Sequence, residues 1–427
     1  MKSVEVSKIR SYIVIAALCL LSAGVGYNLG VRGTTVGISP DKRVVVNQQQ
    51  PAGVNVDFSL FWDVWQRLNT SYIDHANLDA QKMVYGAIGG MVSAIGDPYT
   101  LFLPPHDNTD FKDNLSGQFT GIGAQLDMKD GNVIIQTPLK GNPAEKAGIR
   151  PGDYILKVDG VSTAGWTVAQ AVLKIRGPKG TTVKLQILHE TDTKPIDISI
   201  VRDTITVSTV DTWIKELSDI PEIAGTPSSA ALAGKSGKVA YIKLSQFGDH
   251  TNDEMAAGVL QVETAYASDH SIKGLVFDLR NNPGGYLESA VHIASEFIPS
   301  GTIVSQVNSD GSKQNYPVDH KGQLLTIPMV VLINKGSASA AEIVSGALKD
   351  YKRATLVGEV SFGKGSVQTP EDLPDGSGLH ITTGKWLLPS GNWINKIGIT
   401  PNIIIPSDSV TATMDAQLGK AIEVLFK

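Results

Sequence analysis

The 427-residue sequence predicts a multidomain protein of mixed α+β and α/β class. It would combine an N-terminal helical region, a β-rich module, and an α/β core that carries a serine at a strand-to-helix junction. Three observations predict this. From about Ile196 onward, apolar runs of strand length alternate with segments of helical period. Between Gly117 and about Glu190 the runs are short and separated by glycine turns. Ahead of both, Phe58, Phe61, Trp65, Leu68 and Tyr72 recur at steps of three and four, the spacing of one helix face.

Composition bounds the function. A hydrophobic content of 42% supports ordinary cores, and the length suits two to three of them. The net charge of −5, without a long basic run, excludes nucleic acid as a partner, because displacing phosphate counterions needs clustered Lys and Arg. A single cysteine, Cys19, excludes an intramolecular disulfide and a cysteine-based zinc site. Lys2, Lys8 and Arg10 precede an uncharged stretch over 11–31, long enough to span a bilayer. The expectation is a signal anchor in 1–32, single-pass, with the catalytic part outside the cytoplasm in a periplasm-like envelope compartment, and a polar linker over 33–56.

The helical region then covers 57–112. Its aromatic stripe is too apolar for a solvated face, and it would bury inside the chain or against a second copy, which makes a homodimer an expected partner. A second helix over 83–95 ends at Gly96-Asp97-Pro98, a turn that cannot continue it. Over 113–195 the reading is strands at 132–137, 154–158 and 181–189, with helices at 143–147 and 168–175. The core, 196–405, reads as strands at 237–244, 272–279, 327–333 and 354–358, with helices at 253–267, 287–297 and 340–351. A helix over 414–426 closes the segment 406–427.

Three junctions in the core could carry chemistry. Asp278-Leu279-Arg280-Asn281-Asn282-Pro283-Gly284-Gly285 follows a strand, and its Gly-Gly pair frees backbone N–H groups to face a cleft. Asn334-Lys335-Gly336-Ser337-Ala338-Ser339 follows another strand and opens a helix, which sets Ser339 at a helix N-terminus. The third is Gly358 to Gln368. Ser339 with Glu342 also forms S-x-x-E, a capping box, and Lys364 by itself reads as a surface charge. Together they read as a Ser–Lys dyad, in which burial neutralises the amine so that it accepts the serine proton. Gln368, four residues after Lys364, would lie on the same side of an extended segment and could orient the amine.

Rival motifs fail on chemistry. Gly358 to Lys364 reads G-x-x-x-x-G-K, but Gly365 stands where a phosphate loop needs Ser or Thr, and two prolines follow where its helix should begin. No G-x-S-x-G elbow occurs, and His189-Glu190 has no second histidine at zinc-peptidase spacing. His250, His270 and His292 read as surface or structural residues, and His380 has no evident role. No metal or other cofactor is expected.

The run from Lys146 to Gly160, KAGIRPGDYILKVDG, resembles the core of PDZ domains, with Gly121, Ile122, Gly123 and Ala124 where their carboxylate-binding loop lies. Such a loop can present consecutive N–H groups to a free C-terminus, and the next strand offers an edge for an extended peptide. The succession of Gly96-Asp97-Pro98-Tyr99-Thr100, this module, Asp278 to Gly285, Gly336 to Glu342, Tyr351 to Arg353, Gly358 to Gln368 and Leu388-Pro389-Ser390-Gly391 resembles the C-terminal processing (tail-specific) serine peptidases over about residues 57–405. The resemblance implies Ser339 as nucleophile, Lys364 as general base, Gln368 as its orienting partner, and an oxyanion hole from the N–H of Ala340 and of Gly285 or Gly284. It implies protein or peptide substrates with free, largely apolar C-termini, and suggests Arg176, after the longer PDZ helix, as an activation residue. Ala341, Trp386, Trp393 and Asn395 differ from the commoner family residues, so substrate preference is read less directly than chemistry. The competing class is a non-catalytic PDZ scaffold that binds tails; retention of all three of Ser339, Lys364 and Gln368 argues against it.

Overall fold

The computed structural model describes residues 34–38, 44–48, 56–190, 192–411 and 413–427. The chain divides into two compact units, 1–83 and 84–427. In the first, Thr34–Ile38 (β1) pairs antiparallel with Val44–Gln48 (β2), and the predicted stripe forms the helix Ser59–Ser71 (α1). No residue of α1 is buried, and Phe58, Leu60, Trp62 and Leu68 are exposed. Helix α2, Ala80–Ser93, spans the division between the units.

The second unit opens with Leu101–Leu103 (β3) and a helix, Pro105–Ser116 (α3), ended by Gly117 in the left-handed region. Strand Gln118–Gly121 (β4) pairs with Asp203–Thr206 (β11), so the chain enters and leaves the β-rich module side by side. Within the module the sheet order is Ile196–Val201 (β10), Thr182–Leu188 (β9), Tyr154–Val158 (β7), Asn132–Pro138 (β6) and Ala124–Lys129 (β5), with Val161–Ser162 (β8) beside β7. Pro143–Lys146 (α4) and Val168–Ile175 (α5) pack on it; Thr167 and Gln170 close a capping box at the start of α5. Val133, Ile135, Val183, Leu185 and Ile187 alternate inward on β6 and β9 and are fully buried.

The core is one six-stranded sheet in the order Val210–Glu216 (β12), Lys238–Leu244 (β13), Ile272–Asp278 (β14), Met329–Ile333 (β17), Thr355–Gly358 (β18) and Ile403–Ile404 (β21). All neighbouring pairs are parallel except β12–β13. Parallel strands need cover on both faces, which explains why β17 is buried at every position. Leu275, Phe277 and Val331 face one cluster with Thr251–Ser268 (α7), Leu287–Ser295 (α8) and Ala340–Asp350 (α9); Val276, Val330 and Leu332 face the other, with Ala416–Leu425 (α10). A short helix, Ser229–Leu232 (α6), precedes β13. Beside the core lies an antiparallel sheet of Lys313–Pro317 (β16), Thr302–Asn308 (β15), Gly378–Leu387 (β20) and Ser366–Asp372 (β19), with β3 on β20. The sequence reading took the segment after Lys364 as extended but did not anticipate that it belongs to a second sheet.

The expected single-pass anchor is corrected by the structure. Among the described residues no helix is long and apolar enough to cross a membrane. The longest, α7, has 18 residues and carries Asp253, Glu254 and Glu263, whereas a span needs about 20 predominantly apolar residues. The stretch 11–31, on which the expectation rested, lies outside the described residues.

Phe277 is fully buried, with its ring centroid 5.3 Å from that of Phe297. Phe277→Ala is expected to destabilise the core by ~3–5 kcal/mol, read as a lower denaturant midpoint for near-ultraviolet signals.

Candidate active site

Three strand-to-loop junctions meet at the C-terminal ends of the adjacent parallel strands β14, β17 and β18, where open α/β sheets leave a crevice. The first two are zipped together. The Asn281 N–H donates to Asn334 Oδ1 at 2.8 Å and Asn334 Nδ2 returns a bond to Asn281 Oδ1 at 2.9 Å. Ser337 Oγ donates to the Leu279 carbonyl at 2.8 Å, and the Ala338 N–H to that of Asn282 at 2.9 Å. Asn282, wholly buried, donates to the Leu244 carbonyl and accepts from the Gly284 N–H, both at 2.8 Å.

Ser339 stands at the N-terminus of α9 with φ 53° and ψ −116°, a conformation that a non-glycine residue adopts only when its surroundings hold it there. A Cβ built on Gly284 would lie 2.7 Å from Ser339 Cβ and 2.9 Å from Ala340 N, so the glycine junction lies directly against the serine. On Gly285, at φ +143°, a Cβ would lie 2.0 Å from the Phe247 carbonyl oxygen. The Gly284 amide is committed to Asn282. Those of Gly285 and Ala340 donate to no acceptor among the described residues.

The third junction is bound to the second by Glu342. This carboxylate is fully buried and accepts four bonds: from Ser361 Oγ at 2.6 Å and the Gly363 N–H at 2.7 Å on one oxygen, and from the Lys364 and Ser339 N–H groups, each at 2.9 Å, on the other. The Ser339-to-Glu342 half of the predicted capping box is therefore present, and the same side chain gathers the lysine segment. Burial pushes the Glu342 carboxyl above its usual range, while the four donors act against that rise. The Phe362 N–H adds a bond to the Ser337 carbonyl at 3.0 Å.

Lys364 is half-buried, and loss of hydration lowers its pKa from the ordinary lysine value; the charges of Glu342 and Asp97 oppose this. Its Nζ lies 5.3 Å from the centroid of the Tyr99 ring and makes no hydrogen bond to Ser339 Oγ. Tyr99 is held there by Asp97, which accepts from the Tyr99 N–H at 3.2 Å and from Thr100 Oγ1 at 2.7 Å; Thr100 in turn accepts from the Thr382 N–H at 3.0 Å on β20. Gln368 lies on β19 beyond an irregularity between Val367 and Gln368, and its amide donates to Ser366 Oγ at 2.9 Å and Thr382 Oγ1 at 3.1 Å. The structure thus brings the Ser339 and Lys364 segments together and turns Gln368 toward Ser366 and Thr382.

In the β-rich module, β5 is an edge strand that begins at Ala124, with α5 beside it. Before it, Gly121 ends β4, Ile122 is buried and its carbonyl accepts from the Ala144 N–H at 2.7 Å, and Gly123 takes φ +71°. A side chain at Gly123 would lie 2.4 Å from Asn142 Cβ. Arg176, at the end of α5, stacks its guanidinium 4.7 Å from the Phe119 ring centroid on β4. His189 is buried against Asp153 at 2.7 Å, and after Gly365 the chain forms β19 rather than a phosphate-binding helix.

Sequence reasoning had Asn282, Ser361, Tyr99 and Thr100 inside the motifs it quoted but gave none of them a role; the Asp97-x-x-Thr100 spacing, a local side-chain-to-backbone turn signal, could have marked Thr100.

Comparison with known proteins agrees with this architecture. The peptidase family S41 profile matches residues 238–405, and the PDZ domain profile residues 110–188. The carboxy-terminal processing protease CtpA of Bacillus subtilis (strain 168) is 37% identical over 360 residues, 84% of this chain and 71% of that protein. CtpB of the same organism is 35% identical over 414 residues, covering 96% and 81%. Among solved structures, a photosystem II D1 C-terminal processing protease shares 28% identity over 87% of this chain and 98% of that one, with a TM-score of 0.48. The chain belongs to the carboxy-terminal processing serine proteases of peptidase family S41, with a PDZ domain inserted ahead of the peptidase core.

Glu342→Gln would set an amide donor against two of the four donors that the carboxylate now receives. The expected result is a fall of about a hundredfold or more in kcat with a lowered Tm, while binding of a C-terminal peptide to the PDZ domain is unchanged.

Proposed function

We propose that the protein is an endopeptidase that captures a free, largely apolar protein C-terminus on its PDZ domain and cleaves the chain by Ser–Lys chemistry at Ser339. The observation that carries the proposal is the shared Glu342 carboxylate, which holds the Ser339 and Lys364 backbone N–H groups on one of its oxygens. Ser339 Oγ attacks the scissile carbonyl, and the neutral Lys364 amine takes its proton and later delivers it to the leaving amine. The uncommitted amides of Gly285 and Ala340 suit the developing oxyanion, and the commitment of the Gly284 amide to Asn282 favours Gly285 over it.

Lys364 over Tyr99 represents a resting arrangement. Rotation of its side chain toward Ser339 completes the dyad, and Gln368 orients the amine in that rotamer. The lowered lysine pKa, caused by burial, keeps part of the amine neutral at pH values where a solvated lysine is fully charged.

Substrate capture uses the Gly121-Ile122-Gly123-Ala124 loop for the terminal carboxylate and the β5 edge for the preceding residues. Arg176, stacked on the strand that leads into the module, couples tail binding to turnover. The exposed aromatic face of α1 is the seam of a homodimer; a monomeric mass for residues 54–427 in light scattering at micromolar concentration would refute that.

The central experiment compares cleavage of an unfolded protein with a free or an amidated apolar C-terminus. Wild type should cleave the free tail faster, Ser339→Ala and Lys364→Ala should each lose cleavage by about a thousandfold or more, and Arg176→Ala should lose the advantage of the free tail. Tail binding without cleavage in wild type would point instead to the non-catalytic scaffold or to an enzyme that awaits an activator. Equal rates on both tails would remove the carboxylate from recognition, and an undiminished free-tail advantage in Arg176→Ala would remove the coupling.

A further inference from the structure

Away from the peptidase centre, one group of side chains has the composition and spacing of a transition-metal site. His292 lies in the last turn of α8, and Asp319 and His320 follow β16. Asp319 Oδ2 is 3.1 Å from His292 Nδ1, and its Oδ1 is 2.6 Å from His320 Nδ1. The ligand atoms that the three residues offer all lie within 4.8 Å of one another, and the two rings lie 4.3 Å apart between centroids. Zinc binds imidazole nitrogen and carboxylate oxygen at about 2.0–2.2 Å, which sets donor atoms about 3.3–3.5 Å apart in a tetrahedron. The observed separations exceed or fall short of those values, so the side chains would close around the ion by rotamer adjustment.

A second observation points to a cation. His320 turns its other nitrogen, Nε2, to Glu296 Oε1 at 3.0 Å. Glu296 is 5% exposed, and its second oxygen accepts the Gln323 N–H at 3.0 Å, so this carboxylate is fixed in place. A carboxylate on the far nitrogen sets the proton there and leaves the Nδ1 lone pair toward the ligand position, as in carboxylate–histidine–zinc triads. In the metal-free protein a proton on Nδ1 bridges the 2.6 Å to Asp319 Oδ1, and a metal ion would take that proton's place. Asp319 is held by its own N–H, which donates to Ser295 Oγ at 3.1 Å.

The geometry points to a structural Zn²⁺ site formed by His292, Asp319 and His320, with Glu296 as a positioning residue and water in the remaining coordination position. Two imidazoles and one carboxylate favour zinc over Mg²⁺ or Ca²⁺, which take oxygen donors. The ion would clip the end of α8 to the segment after β16. That clip extends the bond from the Leu324 N–H to the Glu296 carbonyl, 3.1 Å.

The test uses the full chain carrying Ser339→Ala to prevent self-cleavage, stripped with EDTA, dialysed and titrated with ZnCl₂ by calorimetry, with metal content measured by mass spectrometry. The expected result is one Zn²⁺ per chain, a higher Tm, and no such response to MgCl₂. His292→Gln and Asp319→Asn, both at partly exposed positions, should each weaken binding by at least about tenfold without changing the circular dichroism of the metal-free protein. Glu296→Gln should weaken it by about 10–100-fold at unchanged stoichiometry. Absence of binding at micromolar Zn²⁺, or binding of undiminished affinity in both the His292 and Asp319 variants, would overturn the assignment.

Discussion

A buried carboxylate survives as an anion only where donors replace the water it has lost, and Glu342 is such a group. Its four donors come from two stretches of chain: Ser339 on the turn into α9, and Ser361, Gly363 and Lys364 on the loop between β18 and β19. Removing the carboxylate would strand three N–H groups and a hydroxyl at once. The strained backbone of Ser339 and the path of the lysine loop are therefore held by the same side chain. Neither segment has another bond that fixes it relative to the other so directly, apart from the Phe362-to-Ser337 backbone link.

Around this hub the fold supplies direction. The parallel strands β14, β17 and β18 end side by side, so their loops converge without long connections. The reciprocal Asn281–Asn334 pair and the buried Asn282 lock the first two loops to each other. The antiparallel sheet then returns the chain through β19 and β20, and β20 anchors Thr100, which fixes Tyr99 beneath the Lys364 amine. The PDZ domain is hung on the core by the β4–β11 pair, and Arg176 lies against that same β4 through Phe119.

Much of this was legible in the sequence because it is local. The strand–turn–helix pattern located Ser339 at the start of α9, apolar runs alternating with helical segments gave the α/β core, and the KAGIRPGDYILKVDG run gave the PDZ domain. What was hidden is non-local. Glu342 reads as one half of a capping box, since Ser361, Gly363 and Lys364 follow it by 19 to 22 residues and carry no pattern that names their partner. Gln368 was placed beside Lys364 by alternation along an extended segment; the partners of its amide, Ser366 Oγ and Thr382 Oγ1, the latter on the neighbouring strand β20, are not legible from that spacing. Gly96-Asp97-Pro98 was read as a helix stop, whereas its Asp97 also orders Tyr99 and Thr100 at the site. The stripe at Phe58 to Tyr72 correctly gave a helix, but periodicity alone does not say what covers an apolar face.

The most direct test of Ser–Lys chemistry is the pH dependence of kcat/KM for a peptide with a free apolar C-terminus. Burial lowers the Lys364 pKa, so its neutral form gains population as pH rises and does so below the ordinary lysine value of 10.5. The account predicts a rate that climbs with pH through an inflection in the alkaline range below 10.5, unchanged in His380→Ala. An inflection near or below 6.5, the ordinary value from which burial pushes the His380 imidazole down, and its loss in His380→Ala, would contradict it.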